Sequence, residues 1–181
     1  MASQPHRAKQ PVSVLAGPYG HPLHPLLVTV PIGAWVASLV FDIASHLVSQ
    51  PGFLSQGSQW LIAVGVIGAL AAALTGFLDL IAIPFGSLAA RTAVLHMSLM
   101  LTVTCAYGGA FLWRLSSYRD LAPVGAAQLG LSAVSLAVLA AAGFLGGKLA
   151  FRYGVRVADE ATQAAAYLPS ESREAVHRRQ A

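Results

Sequence analysis

Charge is what this sequence has least of. Only 10% of its 181 residues are charged, against about 25% in soluble domains, and this excludes an ordinary soluble fold. Acidic residues number seven in all, and several stand in the last two dozen positions. Cys105 is the single cysteine, which excludes an intrachain disulfide, a CxxC metal site and a haem-attachment motif. It falls inside an apolar run and is expected to be a small packing residue. There is no GxSxG, no HExxH and no phosphate-binding glycine loop, so a hydrolase or an ATP-driven pump is not indicated. With no catalytic motif visible, the sequence points away from an enzyme. Strict alternation of polar and apolar residues is missing as well, which removes a β-barrel.

What is present is long apolar sequence, 56% of the chain. It falls in four blocks, roughly 25–48, 60–83, 92–113 and 122–149. Each is long enough to cross a hydrocarbon core, which needs about 20 helical residues. Backbone in lipid must satisfy its own hydrogen bonds, so the blocks read as helices. The expected fold class is therefore all-α, an integral membrane four-helix bundle. Residues 1–20 form a polar N-terminal tail, 21–156 the membrane domain, and 157–181 a polar C-terminal tail, a frayed helix or disordered. The first tail is expected to be mobile.

The formal charge of +4 does not indicate nucleic acid, because no soluble basic domain exists to hold it. The positive-inside rule accounts for the basic residues. Arg7 and Lys9 precede the first block, Arg91 separates the second from the third, and Lys148, Arg152 and Arg156 follow the fourth. The expected location is a bacterial inner membrane with both termini cytoplasmic. The first block contains Asp42 and is too long for a signal-peptide core, so it is read as a retained helix.

Pro25 suits a first helical turn, placing His24 at or near the N-cap, and Pro31 should kink the first helix. Gly68, Ala72 and Gly76, and Gly143 and Gly147, stand at helix-packing spacing. A faint repeat is also visible. "HPLLVTVPIGAW" from His24 parallels "HMSLMLTVTCAY" from His96, and "GFL" occurs at 76–78 and again at 143–145.

This topology gathers polar residues at one leaflet. His24 opens helix one, and Asp79 and His96 should lie roughly 6–8 Å inside the ends of helices two and three. Ionisable groups at such depth are costly and usually pair, and Asp79 with His96 is the expected pair. A carboxylate on one imidazole nitrogen frees the other as a ligand. His24 and His96 could then clamp a haem b iron, with Arg91, Lys148 or Arg152 near the propionates. Alternatively, His21, His24, His96 and Asp79 could hold one transition-metal ion. The third reading makes the cluster structural: His24 caps a helix, and Asp79 and His96 tie two helices together. Asp42 and His46, four apart, share a helix face near the opposite end and read as an interfacial pair. His6 and His177 lie in the tails and carry no signal.

The stretches "HPLHPLLVTVPIGAWVASLVFD", "ALTGFLDLIAIPFGSLAARTAVLH" and "GFLGGKLAFRYGVRV" resemble the bacterial membrane proteins catalogued as domain of unknown function 2231. The resemblance runs from about residue 18 to 157, and its polar positions are His21, His24, Asp42, Asp79, Arg91 and His96. Members joined to Rieske-type iron–sulfur domains imply a redox setting, although this chain lacks the cysteines for such a domain. The resulting expectation is a b-type haem-binding, electron-transfer membrane subunit with redox partner proteins. The rivals are a metal- or proton-handling protein, as a homo-oligomer, and a non-catalytic membrane partner.

Overall fold

The computed structural model of the chain describes Ala8, Lys9 and residues 21–167. Among these residues the fold is helical throughout, and four spans are long and apolar enough to cross a membrane. The first is built from α1 (Leu23–Leu27) and α2 (Thr29–Ala44). The break at Val28 follows from Pro31, whose ring cannot donate to the carbonyl four residues earlier, that of Leu27. The second span is α3 (Gly52–Ile81), and the third is α4 (Leu88–Arg114) with a 3₁₀ turn to Ser117. The fourth is α5 (Ala126–Gly147), which widens into a π turn over Lys148–Arg152. A short α6 (Glu160–Ala166) follows.

The helices exceed their apolar blocks in places, and α3 begins eight residues before the block at 60. Its first turns carry Ser55, Gln56, Ser58 and Gln59, which bond across to the third span and to the connection that follows it. Hydropathy cannot see a polar turn that tertiary contacts hold. Of the tails expected at 1–20 and 157–181, Ala8, Lys9 and residues 157–167 are described, the last including α6; the rest lie outside the described residues, as do His6 and His177.

The bundle buries polar side chains beside an apolar core and turns large apolar ones outward, as expected when lipid is the solvent. Val36, Val40, Leu70, Leu74 and Val134 are exposed on its outer surface, whereas Ser38, Asp42, Ser58, Arg114 and Ser132 are buried. Cys105 is exposed on the outer surface too, which corrects the expectation of a packing role.

Adjacent spans pack as two hairpins, first on second and third on fourth. The first and third spans meet across the bundle axis through three residue pairs. His24 faces His96, Trp35 stacks on Tyr107, and Asp42 pairs with Arg114. Each pair is separated by the same number of residues, because 96 − 24, 107 − 35 and 114 − 42 all equal 72. The second and fourth spans repeat with an offset of 70: His24 bonds the carbonyl of Ala72 and His96 that of Ala142, while Trp35 bonds Ile62 and Tyr107 bonds Ser132. The two hairpins are thus structural repeats about a pseudo-two-fold axis that passes between the members of each pair.

This settles the register of the repeat. The match from His24 and from His96 is correct, but the "GFL" match is not. Gly76 corresponds to Gly146, three residues beyond Gly143, since 146 − 76 is 70. A Cβ on Gly76 would lie 2.8 Å from His24 Cε1, and one on Gly146 would lie 3.2 Å from His96 Cε1. Gly143 has nothing within 4 Å and Gly147 touches only its own helix's Phe151, so neither packs the bundle as the spacing suggested.

Candidate functional site: a histidine pair on the pseudo-two-fold axis

The two imidazoles sit at the end of the bundle where the first and third spans begin. His24 is in the first turn of α1, whose N-cap is Pro22. Its side chain does not cap the helix but crosses to the second span, with Nδ1 2.9 Å from the carbonyl oxygen of Ala72. His96 lies two turns into α4 and places Nδ1 2.8 Å from the carbonyl oxygen of Ala142. A carbonyl can only accept, so in both rings Nδ1 carries a proton and donates, and in a neutral ring Nε2 is then the nitrogen with the lone pair. The rings are perpendicular, with centroids 6.4 Å apart. Gly76 and Gly146 supply the close approach that seats each ring beside its carbonyl, since each lies against the imidazole of its own hairpin.

The expected bond from Asp79 to His96 is not the one formed. His96 uses the Ala142 carbonyl, and Asp79 accepts from Arg156 Nε at 2.7 Å. Arg156 sits beyond the fourth span with a φ of 57°, a left-handed conformation that costs a non-glycine residue roughly 1–3 kcal/mol. Its backbone N–H donates to Ala8 at 2.9 Å. The chain thus folds back at this end to cover Asp79 with an arginine. Sequence reading counted Arg156 only as a flanking charge.

The other expected residues lie nearby in the fold but do not converge. His21 is exposed at the chain's entry into α1, and Arg91 and Arg152 are exposed. Lys148 lies over the Tyr153 ring, 5.6 Å from its centroid. Among the described residues no three or more His, Cys, Asp or Glu side chains are grouped as a metal site would require. The four-ligand set His21, His24, His96 and Asp79 is therefore not assembled, because Asp79 is turned to Arg156 and His21 to the outside.

At the opposite end the reading of Asp42 with His46 is also corrected. His46 is exposed, while Asp42 is wholly buried and faces Arg114. The guanidinium places Nη1 on Oδ1 and Nη2 on Oδ2, both at 2.7 Å. Ser58 bonds the same carboxylate, and Ser132 lies 3.2 Å from it. Arg114 falls just past the apolar block at 92–113, so hydropathy alone leaves it in the connection that follows. The signal that could have found it was the repeat itself, which puts position 114 opposite Asp42 once His24 is matched to His96.

Residues 20–159 match the family described as "Predicted membrane protein (DUF2231)". No curated protein and no solved structure matches the chain. With most of its length matched, this multi-pass membrane protein belongs to the DUF2231 family.

Proposed function

We propose that the chain is a b-type haem-binding, electron-transfer subunit in which His24 and His96 would hold the haem. The observation that carries this reading is the spacing of the two rings together with their tautomers. Two imidazoles that would share one metal centre must face each other at close range, and the observed centroid separation is 6.4 Å. A hydrogen bond from Nδ1 to a backbone carbonyl is the arrangement that fixes a metal-binding imidazole and raises its basicity.

The donor set discriminates between haem and a lone ion. A structural or catalytic zinc takes three or four protein ligands, and the described residues offer two imidazoles with no third ligand grouped beside them. Haem asks the protein for fewer ligands than a lone ion does, and His24 and His96 would supply them. When bound, the group would supply one-electron redox chemistry. The chain's own contribution would be to hold the two imidazoles and to exclude water with the apolar hairpins. The basic side chains of Arg91, Lys148 and Arg152 at the same end suit the propionates.

That end also carries Arg156, and the positive-inside rule then favours a cytoplasmic histidine end in a bacterial inner membrane. Electron transfer would require donor and acceptor proteins docking there.

An absorption spectrum of the detergent-purified protein, oxidised and then dithionite-reduced, tests the reading. A Soret band with sharp reduced α and β bands at near one haem per chain, lost in His24→Ala and in His96→Ala, is expected. A folded protein with no visible absorption after expression with haem precursor sinks it. Stoichiometric metal without a Soret band would instead favour a metal-handling protein using the same pair.

A further inference from the structure

The Asp42 end of the bundle holds a cleft of about 380 Å³ between the start of α3, the end of α4 and the start of α5. This is within the size range of small-molecule sites. Its lining offers hydrogen-bond donors without partners. Arg114 lines it and is 3% exposed. Nη1 and Nη2 are taken up by Asp42, Ser58 and Ser132, but Nε is buried with no hydrogen-bond partner. Gln128, a largely buried residue of the same lining, accepts from the N–H of Gly125 through Oε1 at 3.3 Å, so its Nε2 amide is the end that can donate to a ligand. The N–H groups of the first turn of α5 border the same space, and their N-cap is a glycine with no side chain to offer. A buried donor left unpaired is costly, so a ligand that supplies an acceptor to Arg114 Nε gains affinity.

The charge pattern narrows the ligand. The guanidinium is already neutralised by both oxygens of Asp42, and Asp120 adds a carboxylate to the lining. The site therefore disfavours an anion and suits a neutral acceptor. Its walls include Trp113, Leu121 and Val124. Close by, Trp60 donates to the Tyr118 hydroxyl at 3.1 Å, the sort of aromatic pairing found at a membrane–water interface. An amphipathic ring would be held by its apolar face on these walls and by a carbonyl oxygen on the donors.

We infer that this cleft binds the carbonyl oxygen of a neutral, membrane-soluble ligand of the quinone class, through Arg114 Nε and Gln128 Nε2. The site lies at the far end of the bundle from the histidine pair and does not depend on haem. An ester carbonyl of a glycerolipid shares the acceptor chemistry, and the test separates the two.

Full-length protein in detergent is titrated with decylubiquinone while tryptophan fluorescence is followed, since Trp113 is in the wall. Saturable quenching at one equivalent is expected. Gln128→Glu keeps an oxygen for the Gly125 N–H and removes the donor, and it should weaken binding about tenfold, as the loss of one such bond implies. Ala127→Leu narrows the cleft without touching Arg114 and should weaken it as well. Quenching that rises linearly with quinone, or that saturates identically in both variants, overturns the proposal. So does a glycerolipid that saturates the site in delipidated protein and is not displaced by quinone, which would assign the cleft to lipid.

Discussion

Asp42 and Arg114 stand in the same relation as His24 and His96: each pair joins equivalent positions of the two hairpins, 72 residues apart, across one axis. One pair is opposite in charge and fully buried, the other is chemically identical. The repeat has thus kept the backbone geometry while the halves have diverged at one end and remained alike at the other.

The ion pair is expected to hold the hairpins together. Removing one partner of a buried pair costs about 3–5 kcal/mol, because the survivor is left charged without compensation. Asp42→Leu and Arg114→Met should each lower the unfolding midpoint in detergent sharply. The double variant Asp42→Leu with Arg114→Met should recover a large part of the loss. Unfolding followed by circular dichroism gives the coupling, and strict additivity of the two single variants would refute it.

The histidines should behave as equals. Because both Nδ1 atoms are donated to carbonyls of the neighbouring span, His24→Ala and His96→Ala are expected to lose haem to the same extent, with helical content retained. A variant set in which only one histidine matters, read by reduced-minus-oxidised spectra, would break the equivalence.

The two glycines should not behave as equals. A methyl at Gly76 would lie 2.8 Å from the His24 ring and one at Gly146 would lie 3.2 Å from the His96 ring. Gly76→Ala must therefore push its imidazole away, whereas Gly146→Ala asks only for a small adjustment. Haem content per folded protein is expected to fall several-fold in the first and little in the second, since misplacing a positioned group by about 1 Å is enough for a large loss.

Asp79 should anchor the segment that follows the fourth span. Asp79→Asn removes the charge that the Arg156 guanidinium pairs with, one of the contacts that offset the left-handed backbone at that residue. Hydrogen exchange of the amides at 155–157 is expected to speed up, while amides in the middle of α3 and α4 keep their protection. Unchanged exchange at 155–157 would show that the segment is held by its other contacts.

The stack of Trp35 on Tyr107, 4.3 Å between centroids and nearly parallel, fills the axis between the two polar pairs. A double-mutant cycle with Trp35→Leu and Tyr107→Leu is expected to give a coupling of about 0.5–1.5 kcal/mol. Because Gly65 lies directly under the indole, Gly65→Ala should be at least as disruptive as losing the stack.

Four membrane helices, the end at which His24, Asp79 and His96 gather, and the half of the repeat carried by the first and third spans are all legible in the amino-acid order. Length, hydropathy and helical rise are one-dimensional quantities, and apolar runs of this length have no other way to satisfy their backbone in lipid. The partners are not legible there, and packing chose them. Asp79 takes Arg156 and not His96, Asp42 takes Arg114 and not His46, and Gly146 rather than Gly143 seats the second imidazole. Those choices depend on helix rotation and on the offset of 70 between the second and fourth spans against 72 between the first and third. A polar residue at a helix end can point to lipid, to the headgroups or to the axis with the same hydropathy, and the neighbouring helices select among them.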